Sequence, residues 1–187
     1  MERLSGLRAV LCSRNEHKRA ELEAALPGWT IELLGEGAFP AENGETYHAN
    51  AAAKARFGRE FADALAWVLG EDSGIEVDAL GGEPGVHSAR WSERPLEQLL
   101  DRLRGVADRR ARYVCELVAI SPDGRELRGT GVLEGRITDE ARGSEGFGYD
   151  PIFVPDGETL TVAELGNAWK MGHSHRTRAA RALVSAL

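Results

Sequence analysis

Apolar positions in this chain fall into two kinds of run, short continuous stretches and stretches spaced three and four apart, so strands and helices are predicted to alternate along it. Residues 8–12 form a continuous apolar run expected to be a buried strand, and residues 15–26 follow with Leu22, Ala25 and Leu26 at helical spacing behind Asn15 as N-cap. A second strand is expected over 30–34 and a loop over 35–45. A long helix is expected over 46–65, with Thr46 as N-cap and Phe57, Phe61 and Leu65 on one face. Residues 66–69 then read as a short strand ending at Glu71-Asp72-Ser73-Gly74. Residues 113–120 and 125–137 read as a hairpin closed by Ser121-Pro122-Asp123-Gly124, where Pro at the second and Gly at the fourth position suit a type I turn. A last helix is expected over 174–187, capped by Ser174 and turning Ala179, Leu183 and Ala186 to the core. The class is α/β with a mixed sheet. Without repeat, linker or low-complexity segment, residues 1–187 are expected to be a single domain.

Composition narrows what such a domain binds. With 187 residues, 42% of them hydrophobic, it buries a substantial core. A formal net charge of −7 argues against a long polynucleotide, whose phosphates need a broad basic surface, but leaves room for a small anion in a local positive pocket. Basic residues gather at 14–19 and 170–181. No apolar run approaches the roughly 18 residues of a membrane span, and the first residues lack a secretory pattern, so a cytoplasmic protein is expected. Cys12 and Cys115 lie in apolar runs and read as reduced core thiols. Only three of the 23 basic residues are lysines: Lys18, Lys54 and Lys170. A lysine kept in so arginine-rich a chain suggests a place for a compact, mobile point charge of the kind that meets phosphate.

Four segments carry candidate chemistry. Ser13-Arg14-Asn15-Glu16-His17-Lys18 links a strand to a helix N-terminus, where free N–H groups and the helix dipole favour an anion; a solvated basic turn is the plainer alternative. Glu71-Asp72-Ser73-Gly74 offers adjacent carboxylates, either hard oxygen ligands for Mg²⁺ with a general base or ordinary turn acids, and a Gly-rich stretch over 79–90 follows it. Gly146-Phe147-Gly148-Tyr149-Asp150-Pro151 brackets an aromatic ring with glycines, suited to stacking on a flat base or to a packing corner. Lys170-Met171-Gly172-His173-Ser174-His175-Arg176 places cations at a second expected helix N-terminus.

Taken together, these segments resemble the Ham1-like family of non-canonical purine nucleoside triphosphate pyrophosphatases. The resemblance rests on Glu71-Asp72-Ser73-Gly74-Ile75-Glu76-Val77, Leu80-Gly81-Gly82, Pro84-Gly85, Ser88-Ala89-Arg90, the 146–151 segment, and Ser174-His175-Arg176 with Lys170 four residues ahead. It implies a two-lobed mixed-sheet fold with a central nucleotide cleft, a homodimer, and Mg²⁺-dependent hydrolysis of triphosphates such as those of inosine, deoxyinosine and xanthosine to the monophosphate and pyrophosphate. On that resemblance Ser13, Arg14, Asn15 and Lys18 would cradle the phosphates, with Lys18 neutralising charge as the bond breaks. Lys54 would reach the same phosphates, Glu42 and Asp72 would hold the metal, and Asp72 would orient or deprotonate the attacking water. Ser73 would touch substrate, Phe147 would stack on the base with Gly148, Tyr149 and Asp150 shaping the pocket, and Lys170, His175 and Arg176 would meet the base edge. Three positions depart from the family pattern: Arg14 stands where a small residue is usual, Ala49 where Glu is common, and Glu71 where Asp is more usual. A related Maf-like pyrophosphatase for modified pyrimidines or methylated guanosine, and a nucleotide-binding module without catalysis, are the alternatives.

Overall fold

The computed structural model describes residues 6–35 and 39–187; residues 1–5, and 36–38 within the expected 35–45 loop, lie outside that description. In chain order the elements are β1 (Leu7–Leu11), α1 (Glu16–Ala25), β2 (Trp29–Leu33), α2 (Tyr47–Phe61), β3 (Trp67–Val77), α3 (Pro95–Arg102), β4 (Arg110–Ile120), β5 (Glu126–Ile137), β6 (Phe153–Pro155), α4 (Val162–His173) and α5 (His175–Val184). The described strands form one mixed sheet in the order β2-β1-β3-β4-β5-β6. β1 runs parallel to both β2 and β3, and β5 runs antiparallel to β6. The chain divides into two compact units, one of residues 1–72, 115–131 and 176–187, the other of 73–114 and 132–175.

In the first unit the strands are covered on both faces, which is why β4 reads as a nearly unbroken apolar run rather than an alternating one. Cys115, Leu117 and Ala119 join Leu22 and Leu26 of α1 and Ala179, Ala180 and Leu183 of α5 in one core, whereas Val118 and Ile120 pack with Ala51, Ala52 and Ala55 of α2. Helices α2 and α5 come very close to the sheet. A Cβ on Gly70 would lie 2.0 Å from the Ala51 carbonyl, and one on Gly129 would lie 2.1 Å from the Ala179 carbonyl, so only glycine allows these approaches. The second unit has its own core of Ile75, Val77, Leu99, Leu103, Tyr113, Leu133, Ile137, Ile152 and Phe153. Within it α4 begins with a capping box between Thr161 and Glu164 and is kinked at Gly166 (φ 85°). The Glu145 carboxylate then accepts from Asn167 N at 2.9 Å, restarting the helix.

Several sequence expectations are corrected. Strand β3 does not stop at residue 69 but continues to Val77, so Glu71 and Asp72 lie in its middle rather than at its end. Strand propensity undervalues these acids because their charges are balanced by cations from the helices. Helix α2 ends at Phe61, leaving Phe61 63% and Leu65 84% exposed; its buried face is the small-residue side, because Gly70 draws it close to the sheet. Lys170 belongs to the last turn of α4, not to a helix N-terminus. Helix α5 ends at Val184, so Ala179 and Leu183 are buried while Ala186 is exposed. Helices α3 and α4 were not expected, although Pro95 at an N-terminal position and the Thr161/Glu164 pair are their sequence marks. The Asn15 and Thr46 caps and the 121–124 turn form as expected.

Candidate active site

The first unit gathers most of the expected phosphate and metal residues around the middle of β3. Successive side chains leave a strand on opposite faces, and Glu71 and Asp72 accordingly meet different helices. Asp72 turns to α2: its Oδ2 accepts from Asn50 Nδ2 at 2.9 Å and its Oδ1 lies 3.2 Å from Lys54 Nζ. The Lys54 ammonium also donates to the Glu71 carbonyl at 3.0 Å and pairs closely with Glu42. Asn50 Oδ1 accepts from Gly44 N at 2.8 Å, which ties the Glu42-Asn43-Gly44 segment to the same place. Glu71 turns to α1 and α5, where its oxygens accept from Lys18 Nζ at 2.6 Å and Arg176 Nε at 3.0 Å; Arg176 also lies 3.6 Å from Glu21.

Electrostatics follows from this packing. Burial raises the Asp72 carboxyl, Lys54 and Asn50 pull it back, and the balance stays above the usual range. Burial lowers Lys54, but Asp72, Glu71 and Glu42 outweigh it and keep the ammonium charged. Burial would raise Glu71, yet Lys18, Arg176 and Lys54 hold it well below the ordinary carboxylate range.

At the β1–α1 turn, Asn15 Oδ1 accepts from His17 N at 2.9 Å and Lys18 N at 3.2 Å, and Ser13 Oγ accepts from Asn15 N at 3.1 Å. Two first-turn amides expected to cradle phosphate are thus capped by Asn15 itself. Arg14 places its guanidinium 4.7 Å from the centre of the Phe39 ring.

A second cluster forms inside the second unit. The Asp150 carboxylate, 2% exposed, accepts from Phe147 N at 2.8 Å, Lys170 Nζ at 2.6 Å and Tyr113 Oη at 3.2 Å. Lys170 Nζ also sits 3.8 Å from the centre of the Phe147 ring. The His175 ring stacks on Tyr113 at 4.6 Å, and Tyr149 Oη donates to the Ser88 carbonyl at 3.2 Å, its phenol pushed up to about 12 by burial. Gly146 is required here, because a Cβ on it would lie 2.2 Å from Asp150 Oδ2.

A match to the Ham1 family model covers residues 9–186. The chain belongs to the Ham1 family. It is 43% identical to a dITP/XTP pyrophosphatase of Deinococcus deserti over 98% of this chain and 90% of that protein, and 47% identical to a dITP/XTP pyrophosphatase of Symbiobacterium thermophilum over 94% and 92%. The structure of the Staphylococcus aureus Ham1 protein superposes with a TM-score of 0.83 at 33% identity, covering 95% of this chain and 96% of that one.

In this Ham1 chain Ser13, Arg14, Asn15, Lys18, Glu42, Lys54, Asp72 and Arg176 belong to the first unit, and Ser73, Phe147, Gly148, Tyr149, Asp150, Lys170 and His175 to the second. Arg176, expected at the base edge with Lys170 and His175, places its guanidinium against Glu71 and Glu21. Sequence reading passed over Asn50, Glu21 and Tyr113 as participants. Asn50 carried a signal of its own, an amide on an otherwise alanine-rich helix face one turn before Lys54. Among the described residues no group of three or more His, Cys, Asp and Glu side chains is placed to hold a metal.

Proposed function

We propose that this chain is a Mg²⁺-dependent pyrophosphatase for non-canonical purine nucleoside triphosphates, those of deoxyinosine, inosine and xanthosine, yielding the monophosphate and pyrophosphate. The observation that carries the reading is the convergence of Asp72, Glu42 and the Glu71 carbonyl on one positive atom, Lys54 Nζ. Hard oxygens gathered about one cationic point fit Mg²⁺, which takes one or two carboxylates and completes its shell with water and substrate phosphate. The names of the Deinococcus and Symbiobacterium relatives point to two of these substrates, the triphosphates of deoxyinosine and xanthosine.

In this reading Glu42 and Asp72 hold the ion, which when bound supplies charge neutralisation for the phosphates. Asp72, its carboxyl raised by burial, takes a proton from the water that attacks the α-phosphorus, and the bond to the bridging oxygen breaks to release pyrophosphate. Lys54 shifts from the carboxylates to the phosphate oxygens, and Lys18 offers a second positive charge as negative charge builds on the leaving group. Ser13, Arg14 and Asn15 border the phosphates. In the second unit Phe147 stacks on the base, and Gly148, Tyr149 and Asp150 shape its surroundings, with Ser73 and His175 also touching substrate. Lys170 donates to the 6-oxo acceptor that these purines share; the 6-amino group of adenine would instead meet a donor and leave that interaction unmade. Arg176 balances the charge of Glu71. The Maf-like and non-catalytic alternatives gain no observation in their favour.

Working on free nucleotides, the enzyme is placed by this reading in the cytoplasm, and the family resemblance favours a homodimer. The test is pyrophosphate release from deoxyinosine, xanthosine, inosine and the four standard triphosphates, with and without Mg²⁺. Metal-dependent release from the first three, well above that from adenosine triphosphate, is expected. Equal rates on adenosine triphosphate, or on a modified pyrimidine triphosphate added to the panel, would refute the substrate assignment.

A further inference from the structure

The Glu71 side chain has no role in the chemistry just described, yet it is among the most buried charges of the first unit, 2% exposed, and its two carboxylate oxygens reach two different helices. Oε2 accepts from Lys18 Nζ of α1 at 2.6 Å, and Oε1 accepts from Arg176 Nε of α5 at 3.0 Å. The Lys18 side chain keeps 19% of its surface exposed against 1% for Glu71, so a buried anion holds the ammonium of a side chain that is itself still partly exposed. A free lysine side chain spreads over many rotamers, and holding it in one arrangement costs conformational entropy. A fixed carboxylate at 2.6 Å meets that cost before substrate arrives. With both oxygens already on cations, Glu71 is not arranged to join Asp72 and Glu42 around a metal, and its side chain leaves β3 on the opposite face.

We propose that Glu71 is a positioning residue for this reaction, acting through Lys18: it fixes the Lys18 ammonium where the leaving phosphates develop charge, with Arg176 as the countercharge that keeps the buried carboxylate anchored. The proposal rests on the pyrophosphatase reading and deepens it. Replacing Glu71 by Gln turns an acceptor into an amide that presents N–H groups to one of the two cations, so that cation loses its hold.

The test is a double-mutant cycle on deoxyinosine triphosphate with Glu71→Gln and Lys18→Ala, with a Mg²⁺ titration and a thermal melt for each variant. In the wild-type background Glu71→Gln is expected to lower kcat by about tenfold or more while the half-saturating Mg²⁺ concentration stays within about twofold. In the Lys18→Ala background the same change is expected to alter kcat by less than about twofold, because the group it positions is gone. Independent, multiplicative losses would overturn the proposal in favour of a merely structural Glu71. A rise of about tenfold in the Mg²⁺ requirement would overturn it in favour of a metal ligand. If Glu71→Gln does not fold, the same cycle is run with Glu71→Asp, which keeps the charge one methylene short, and coupling or its absence decides in the same way. An inactive wild type would sink the functional reading itself, an outcome distinct from an active wild type with uncoupled losses.

Discussion

Asn50→Ala is the most revealing perturbation of the metal-side network, because one buried amide joins the Glu42 segment to Asp72. Asn50 is 2% exposed; its Nδ2 donates to Asp72 Oδ2 at 2.9 Å, and its Oδ1 accepts from Gly44 N at 2.8 Å. Removing a hydrogen bond to a charged partner costs about 1.5–3 kcal/mol and a neutral one about 0.5–1.5 kcal/mol, with Gly44 near the low end because water still reaches its partly exposed segment. The expected loss is about 2–3 kcal/mol. At about 2–4 °C per kcal/mol for a chain of this size, that lowers the thermal midpoint by roughly 4–12 °C. Activity should fall further than stability suggests, about 10- to 100-fold in kcat/KM, since Asp72 loses the donor that fixes its rotamer and Glu42 loses the tie on its segment. Asn50→Asp keeps the acceptor for Gly44 but brings a second anion to Asp72, and should lose at least as much. Scanning fluorimetry and pyrophosphate release measure the two effects on one preparation. A midpoint within about 1 °C of wild type together with more than half the wild-type rate would refute the reasoning.

Glu42→Gln should raise the Mg²⁺ concentration for half-maximal rate by about tenfold or more, roughly 1.4 kcal/mol, with an unchanged circular dichroism spectrum; an unaltered titration would send the search for a second ligand elsewhere. Gly70→Ala places a methyl 2.0 Å from the Ala51 carbonyl and 2.5 Å from Ala55 N, so urea unfolding should show a loss of about 1–3 kcal/mol or more, and a neutral result would mean that α2 is free to shift. Burial pushes the Cys12 thiol from 9.0 up to about 11, with Lys54 opposing, and raises Cys115 still more clearly. The unfolded chain then loses these protons first, so stability is complete below about pH 9 and declines as pH rises towards 11; a Cys12→Ala variant should show a shallower decline of melting temperature over that window.

Local structure was legible where the chain states it locally. Asn15 and Thr46 cap helices because their side chains reach amides two or three residues on, and Ser121-Pro122-Asp123-Gly124 turns because each residue suits its place. What sequence reading missed depends on partners far along the chain. Glu71 and Asp72 continue a strand because Lys18, Lys54 and Arg176, 53, 18 and 105 residues away, supply their countercharges. The aromatic residues Phe57 and Phe61 looked like the inner face of α2, yet the glycine at position 70 brings the alanine face inward; only knowledge of which strand the helix meets decides between them. The candidate site shows the same division. Lys18, Lys54, Glu42 and Asp72 were named from residue type and motif, while the pairing of Arg176 with Glu71 joins positions 105 residues apart, which no spacing encodes.

The central claim is that water enters at the α-phosphorus under the direction of Asp72, and product analysis tests it most directly. With deoxyinosine triphosphate and Mg²⁺, the wild type is predicted to give one monophosphate and one pyrophosphate per substrate consumed, and Asp72→Asn, folded by circular dichroism, to lose about 10²–10⁴ of that rate. Diphosphate and orthophosphate as the products, or an Asp72→Asn enzyme retaining more than about a tenth of the wild-type rate, would contradict it.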